Sequence, residues 1–163
     1  MAKYWLDSNT FIEPKNRYYS FAIAPGYWEF LEEQGAAGMV SASTMVYDEL
    51  VKDANDDLAH WVKAHKGTGL FVVPDAQVQG RLQQVAAHVQ ANYQSQRLAE
   101  FLGGADPWII AHAMNDGGRV VTFETRAPGA LKIKIPNICE ELGVEYANLF
   151  DVLRTLGMTL NRS

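Results

Sequence analysis

Five acids stand in four short stretches far apart in the chain: Asp7 in "WLDSN", Asp48 and Glu49 in "VYDEL", Asp106 in "ADPWIIAHA" and Glu124 in "VVTFE". Carboxylates that are brought together repel one another, and burial makes the repulsion worse. Such a cluster is tolerated when it binds a hard cation. Ligands that are all oxygen favour magnesium or manganese over zinc. Each acid also has a plainer reading. Asp7 opens "DSN", which is good turn chemistry. Asp106 precedes Pro107, as an N-cap residue precedes proline at the first helical position. Glu124 could be an exposed acid at a strand end. Glu49 has a competitor beside it, Asp48. Their neighbours Val46, Tyr47, Leu50 and Val51 centre the apolar stripe of the helix between the two acids, so helical phase does not choose between them.

The elements that must position these acids alternate between strand and helix. "KYWLD" reads as a strand ending at Asp7. "PGYWEFLEEQG" reads as a helix stopping at Gly35, and "GMVSAS" as a second strand. Ser43 caps the helix that carries Asp48 and Glu49. "DDLAHWVKAH" is amphipathic and helical, and "LFVVP" is a third strand. "DAQVQGRLQQVAAHVQANYQSQRLAEFL" is one helix or two, with weak points at Gly80 and at the Gln-Ser pair near Gln94. "RVVTFE" is a fourth strand, "LKIKIP" a β segment, "NICEELG" a short helix, "VEYA" a fifth strand and "LFDVLRTLG" a last helix. Alternation of this kind predicts a three-layer α/β/α fold around a central parallel sheet of about four or five strands. In such sheets ligands bind beyond the carboxyl ends of the strands. That is where Asp7 and Glu124 fall, with Asp106 and Glu49 on helices able to reach the same edge.

The bulk numbers are consistent with one domain over residues 1–163. The chain is 48% hydrophobic and 20% charged, enough for a real core and too apolar for a disordered segment. Its net charge of -5 gives no basic footprint for nucleic acid. A bound cation can still reverse the sign locally. The single cysteine, Cys139, permits no internal disulfide, which suits a reducing cytosol. Asp7 comes too early for a signal peptide, and no apolar run is long enough to cross a membrane. The expected setting is therefore cytoplasmic. There is no GxxxxGK[ST] loop, no H-x-x-x-H pair and no G-x-S-x-G elbow. His60, His65, His88 and His112 read as structural or exposed. An aspartyl phosphatase built on Asp7 would want a second Asp where Asn9 stands.

The four stretches, in this order and at this spacing, resemble PIN-domain ribonucleases, and most closely a PIN-like branch related to VapC-type toxins. The resemblance spans nearly the whole chain. It implies an acidic quartet of Asp7, Glu49, Asp106 and Glu124, catalytic and metal-ligating, with Glu49 preferred to Asp48 because it directly precedes Leu50. Ser8, Asn9 and Thr122 would be polar supports. Many PIN domains carry Asp at the fourth position, often with another Asp two residues on. Here Glu124 is followed by Thr125 and Arg126. The implied activity is hydrolysis of RNA phosphodiesters with Mg2+ or Mn2+. The implied partners are an RNA substrate, a cognate antitoxin protein and further copies of the chain. The rival expectation is a PIN-like protein-interaction module without catalysis. Lys15, Arg17, Arg126, Lys132 and Lys134 are candidates to line the approach, and Trp28, Trp61 and Trp108 read as core residues rather than base-stacking platforms.

Overall fold

A computed structural model describes residues 3–52 and 56–160. The ends of the predicted domain, 1–163, lie outside the described residues. Five short strands form one parallel sheet: β1 (Tyr4–Leu6), β2 (Val40–Ser43), β3 (Phe71–Val72), β4 (Arg119–Val121) and β5 (Glu145–Ala147), in the order β3-β2-β1-β4-β5. Around it pack α1 (Asn9–Glu13), α2 (Pro25–Ala36), α3 (Thr44–Val51), α4 (Asp57–Ala64), α5 (Ala76–Asn92), α6 (Ser95–Gly103), α7 (Asp106–Asp116), α8 (Ile135–Leu142) and α9 (Leu149–Thr155). The α/β expectation holds. The strands are near-continuous apolar runs because a parallel sheet is covered on both faces. Trp5, Leu6, Val40, Ala42, Val120 and Val121 are all buried.

The order of the sheet matters for function. The chain enters at the centre with β1, moves outward through β2 and β3, then returns to β4 on the other side of β1. The direction therefore reverses between β1 and β4, which run in register from Tyr4 opposite Arg119 to Leu6 opposite Val121. Ligand crevices in open α/β sheets lie at such a reversal, outside the carboxyl ends of the strands.

Local chemistry sets several boundaries. The Ser43 hydroxyl accepts the Met45 amide at 3.2 Å and caps α3, as the sequence predicts. Asp75 and Asn148 cap α5 and α9 in the same way. The long polar stretch divides at Tyr93–Gln94 and not at Gly80, which lies inside α5. Helix α7 stops at Gly117, whose φ of 71° is the left-handed conformation that glycine adopts without strain. The adjoining Gly118 packs so closely that a Cβ would lie 2.5 Å from the Lys3 carbonyl oxygen.

Two expectations need correction, and one element was not expected. "LKIKIP" alternates like a strand, but it forms an irregular loop that runs into α8, with Pro136 in the first helical turn. Residues 9–18 form α1 and then a π-helical turn, Pro14–Tyr18, which was not expected. Asp106 is not an N-cap. It is the first residue of α7, Ala105 holds the cap position, and no side chain caps there.

Candidate active site

Asp7 follows β1 directly. Its amide donates to the Val121 carbonyl at 3.0 Å, so the first residue beyond β1 is pinned to the end of β4. The side chain is only 3% exposed. Thr122, the first residue beyond β4, donates its hydroxyl to Asp7 Oδ2 at 3.0 Å and accepts the Glu124 amide at 3.0 Å. One buried hydroxyl thus orients two of the four acids. Thr10, which the sequence reading did not single out, donates to the Asp7 carbonyl oxygen at 2.6 Å, and its own carbonyl accepts Tyr27 Oη at 2.9 Å. A Thr three residues after a strand-end Asp, in the first turn of a helix, was the signal for it.

Glu49 reaches the site from α3. Its Oε1 accepts the Ala105 amide at 2.7 Å, which ties α3 to the start of α7. Its Oε2 accepts Ser8 Oγ at a long 3.5 Å. Asp48 and Glu49 are both exposed, but only Glu49 bonds to these groups among the described residues. The structure therefore separates the two acids where helical phase does not. Asn9 is exposed at the first position of α1.

Asp106 makes no hydrogen bond or ion pair to a protein donor among the described residues, although it is half-buried. Burial first, then the charges of Asp7, Glu124 and Glu49, push its carboxyl from 3.8 up to about 7, with Lys132 pulling the other way. Burial and Glu124 likewise raise Asp7 to about 6, against the Thr122 hydroxyl and the Ser8 amide, which favour the charged form. Asp106 feels the charges of Asp7, Glu124 and Glu49, and Asp7 those of Glu124 and Glu49.

Glu124 is engaged more fully. Its Oε1 accepts the Ile135 amide at 3.1 Å, and its Oε2 faces Lys134 Nζ at 3.7 Å and Lys132 Nζ at 3.8 Å. Among the described residues no three His, Cys, Asp or Glu side chains stand ready as a metal cage. Glu49 and Glu124 each give one oxygen to a backbone amide. The donor set nonetheless suits a hard cation, being all oxygen and centred on two mutually repelling aspartates, one of which has no protein donor. Glu49, Asp106, Arg97, Phe101, Lys132 and Ile133 line a cleft of about 150 Å³ beside it.

The remaining basic candidates are spread out. Lys15 pairs with Asp56, Arg17 with Glu13 and Arg126 with Glu140. Trp28 is buried, and Trp61 packs among Phe11, Phe21, Trp28 and His65. Both belong to the core, as expected, whereas Trp108, on α7, is only half-buried and lies outside the core cluster. Among the described residues no helix is long and apolar enough to cross a membrane.

The family profile described as "Domain of unknown function (DUF4411)" matches residues 4–160. The chain belongs to this family. Among curated protein sequences none matches significantly. Solved structures do match. A chain in the crystal structure of VapBC2 from Rickettsia felis, bound to a DNA fragment from its promoter, is 14% identical with a TM-score of 0.56, over 89% of this chain and 97% of that one. A chain of DNA-bound VapBC from Salmonella typhimurium is 17% identical with a TM-score of 0.53, over 91% and 98%. VapBC-1 from nontypeable Haemophilus influenzae gives 12%, 0.54, 89% and 96%. At these identities the likeness is one of fold, and the fold of this DUF4411 member is the PIN fold of the VapC type.

Proposed function

We propose that this chain is a divalent-metal-dependent endoribonuclease that hydrolyses RNA phosphodiester bonds, acting as the toxin of a type II toxin–antitoxin pair. What supports the reading is that Asp7, fastened beyond the end of β1 to the end of β4, and Asp106, at the start of α7, are both buried acids raised by neighbouring carboxylates, beside the reversal of strand order between β1 and β4. The VapC-type fold supports the reaction class. The pairing of VapB with VapC in the similar structures supports an antitoxin partner.

Asp7 and Asp106 would hold Mg2+ or Mn2+, with Glu49 beside them. Bound there, the ion supplies an acidified water and offsets charge on the phosphate oxygens. Thr122 fixes the rotamer of Asp7 through its bond to Oδ2. Glu49 Oε2, the oxygen not engaged by Ala105, takes the proton of the attacking water. The water oxygen joins phosphorus, one P–O ester bond breaks, and the released alcohol oxygen takes a proton from solvent. No side-chain nucleophile is required.

The test is a cleavage assay of purified protein on single-stranded and structured RNAs, with chelator, magnesium or manganese. Cutting that requires the metal and is lost in Asp7→Asn and Asp106→Asn is the expected result. An absence of cutting under every condition would overturn the reading in favour of a PIN-like interaction module.

A further inference from the structure

The loop between β4 and α8 brings two lysines to the acids. The Glu124 side chain, 11% exposed, directs one oxygen to the Ile135 amide and the other toward both amines. At 3.7 and 3.8 Å these amines are attracted to the carboxylate without being hydrogen-bonded to it. They also stay hydrated, since the lysine side chains are 50% and 31% exposed. Lys132 lies close enough to Asp106 to oppose the acids that raise it, and it lines the same cleft as Glu49 and Asp106. Arg97 of α6 lines that cleft too, and it has no carboxylate partner among the described residues. The whole chain carries a net charge of -5, so its surface at large repels a polyanion. Cations at the cleft itself must supply the attraction.

We propose that Lys132 and Lys134 are the phosphate-binding pair of this site, and that Glu124 is a positioning residue for them rather than a cation ligand. The inference rests on the ribonuclease reading. A phosphodiester lying over Asp7 and Asp106 places a neighbouring phosphate within reach of the two amines, which exchange a loose contact with Glu124 for phosphate oxygens. Glu124 keeps Lys132 at the cleft and Lys134 beside it. It also explains why no third acid completes a cage: the fourth acid of the quartet already has its counterions.

Binding without cutting tests this. A fluorescein-labelled, mixed-sequence single-stranded RNA is titrated in chelator across a salt series. The proteins are the parent, the double variant Lys132→Ala/Lys134→Ala and, as a control on α4, Lys63→Ala. The double variant should bind at least tenfold more weakly at low salt. Its slope of log affinity against log salt should be shallower by about 1.4, from two phosphate contacts at roughly 0.7 each. Lys63→Ala should match the parent. Unchanged affinity and slope in the double variant would overturn the phosphate pair. In parallel, calorimetric titration with Mn2+ should show Glu124→Gln within about threefold of the parent and Asp106→Asn weaker by tenfold or more. A loss in Glu124→Gln as large as that in Asp106→Asn would make Glu124 a ligand. RNA bound through the lysines but never cut would remove the ribonuclease reading alone. Cutting that is indifferent to the lysines would remove this inference alone, and a parent that binds no RNA would remove both.

Discussion

Helix α7 begins and ends with an aspartate, and the two are treated in opposite ways. Asp116, at the carboxyl end, suffers an unfavourable helix dipole. Both of its oxygens are satisfied all the same: Oδ1 accepts the Gly118 amide at 2.8 Å and Oδ2 accepts Trp5 Nε1 at 2.9 Å. Asp106, at the amino end, has the favourable dipole but no protein donor, and three other acids face it. An acid placed for structure has its lone pairs filled by the chain. An acid placed for a ligand is left short of donors in a site that disfavours its charge. His112, between them on the same helix, is buried with its Nε2 unpartnered among the described residues. It stacks on Trp5 at 4.2 Å, and burial pushes its pKa down to about 4, so it stays neutral.

The contrast is broken most directly by exchanging the charge at each end. Asp106→Asn should lower RNA cleavage at least about a hundredfold while the protein stays folded, because even outer-shell partners of a metal site cost tenfold to a hundredfold. Cleavage at the parent's rate, in protein shown to be pure, would remove Asp106 from the mechanism. Glu49→Gln should cost about tenfold to a hundredfold and Asp48→Asn almost nothing, since only Glu49 bonds Ala105 and Ser8. The reverse ranking would move the site to Asp48. Asp116→Ala should show the opposite pattern. It strands the Gly118 amide and the Trp5 indole N–H, and should lower stability by about 1–3 kcal/mol in denaturant titrations. Cleavage per folded molecule should stay near the parent's.

The acids also give the metal-free protein a pH dependence of known sign. The folded carboxyls of Asp7 and Asp106 lie near 6 and 7, above their ordinary 3.8. The native state therefore keeps protons that the unfolded chain releases. The stability this gives is complete below about pH 4 and is lost as the pH rises through 6 and then 7. Denaturant titrations in chelator should give falling stability over that window. Asp106→Asn should flatten the upper part of the fall, and an identical fall in that variant would assign the effect to other groups.

Asp7 was legible in the sequence because strand ends are set by short apolar runs, and a parallel sheet gathers those ends at one edge, whereas Thr122 was named only through the resemblance. Glu49 was legible only through the resemblance. What separates it from Asp48 is a bond to Ala105, 56 residues away, which no local pattern encodes. Asp106 looked like a cap because a short polar residue before proline is the usual signature of one. The carboxylate is instead one step inside the helix, its side chain turned to the other acids. The loop after Glu124 was the least legible part. "LKIKIP" has strand-like alternation, but it forms a loop that runs into α8 and is fastened to Glu124 by the Ile135 amide.

The central claim is that Asp7 and Asp106 share one cation, and a thermal melt tests it most directly. An ion that binds the native cluster and not the unfolded chain stabilises by mass action, by about 2.7 kcal/mol at roughly 100 times its dissociation constant. Each 1 kcal/mol moves the midpoint by roughly 2–8 °C for a domain of this size. Parent and Asp106→Asn are melted side by side in chelator and in manganese. The parent should shift upward by several degrees and the variant by little or nothing. In chelator the variant should melt as high as the parent or higher, since one repelling charge is gone. Equal manganese shifts in the two proteins would mean that the ion binds elsewhere, and would contradict the shared site.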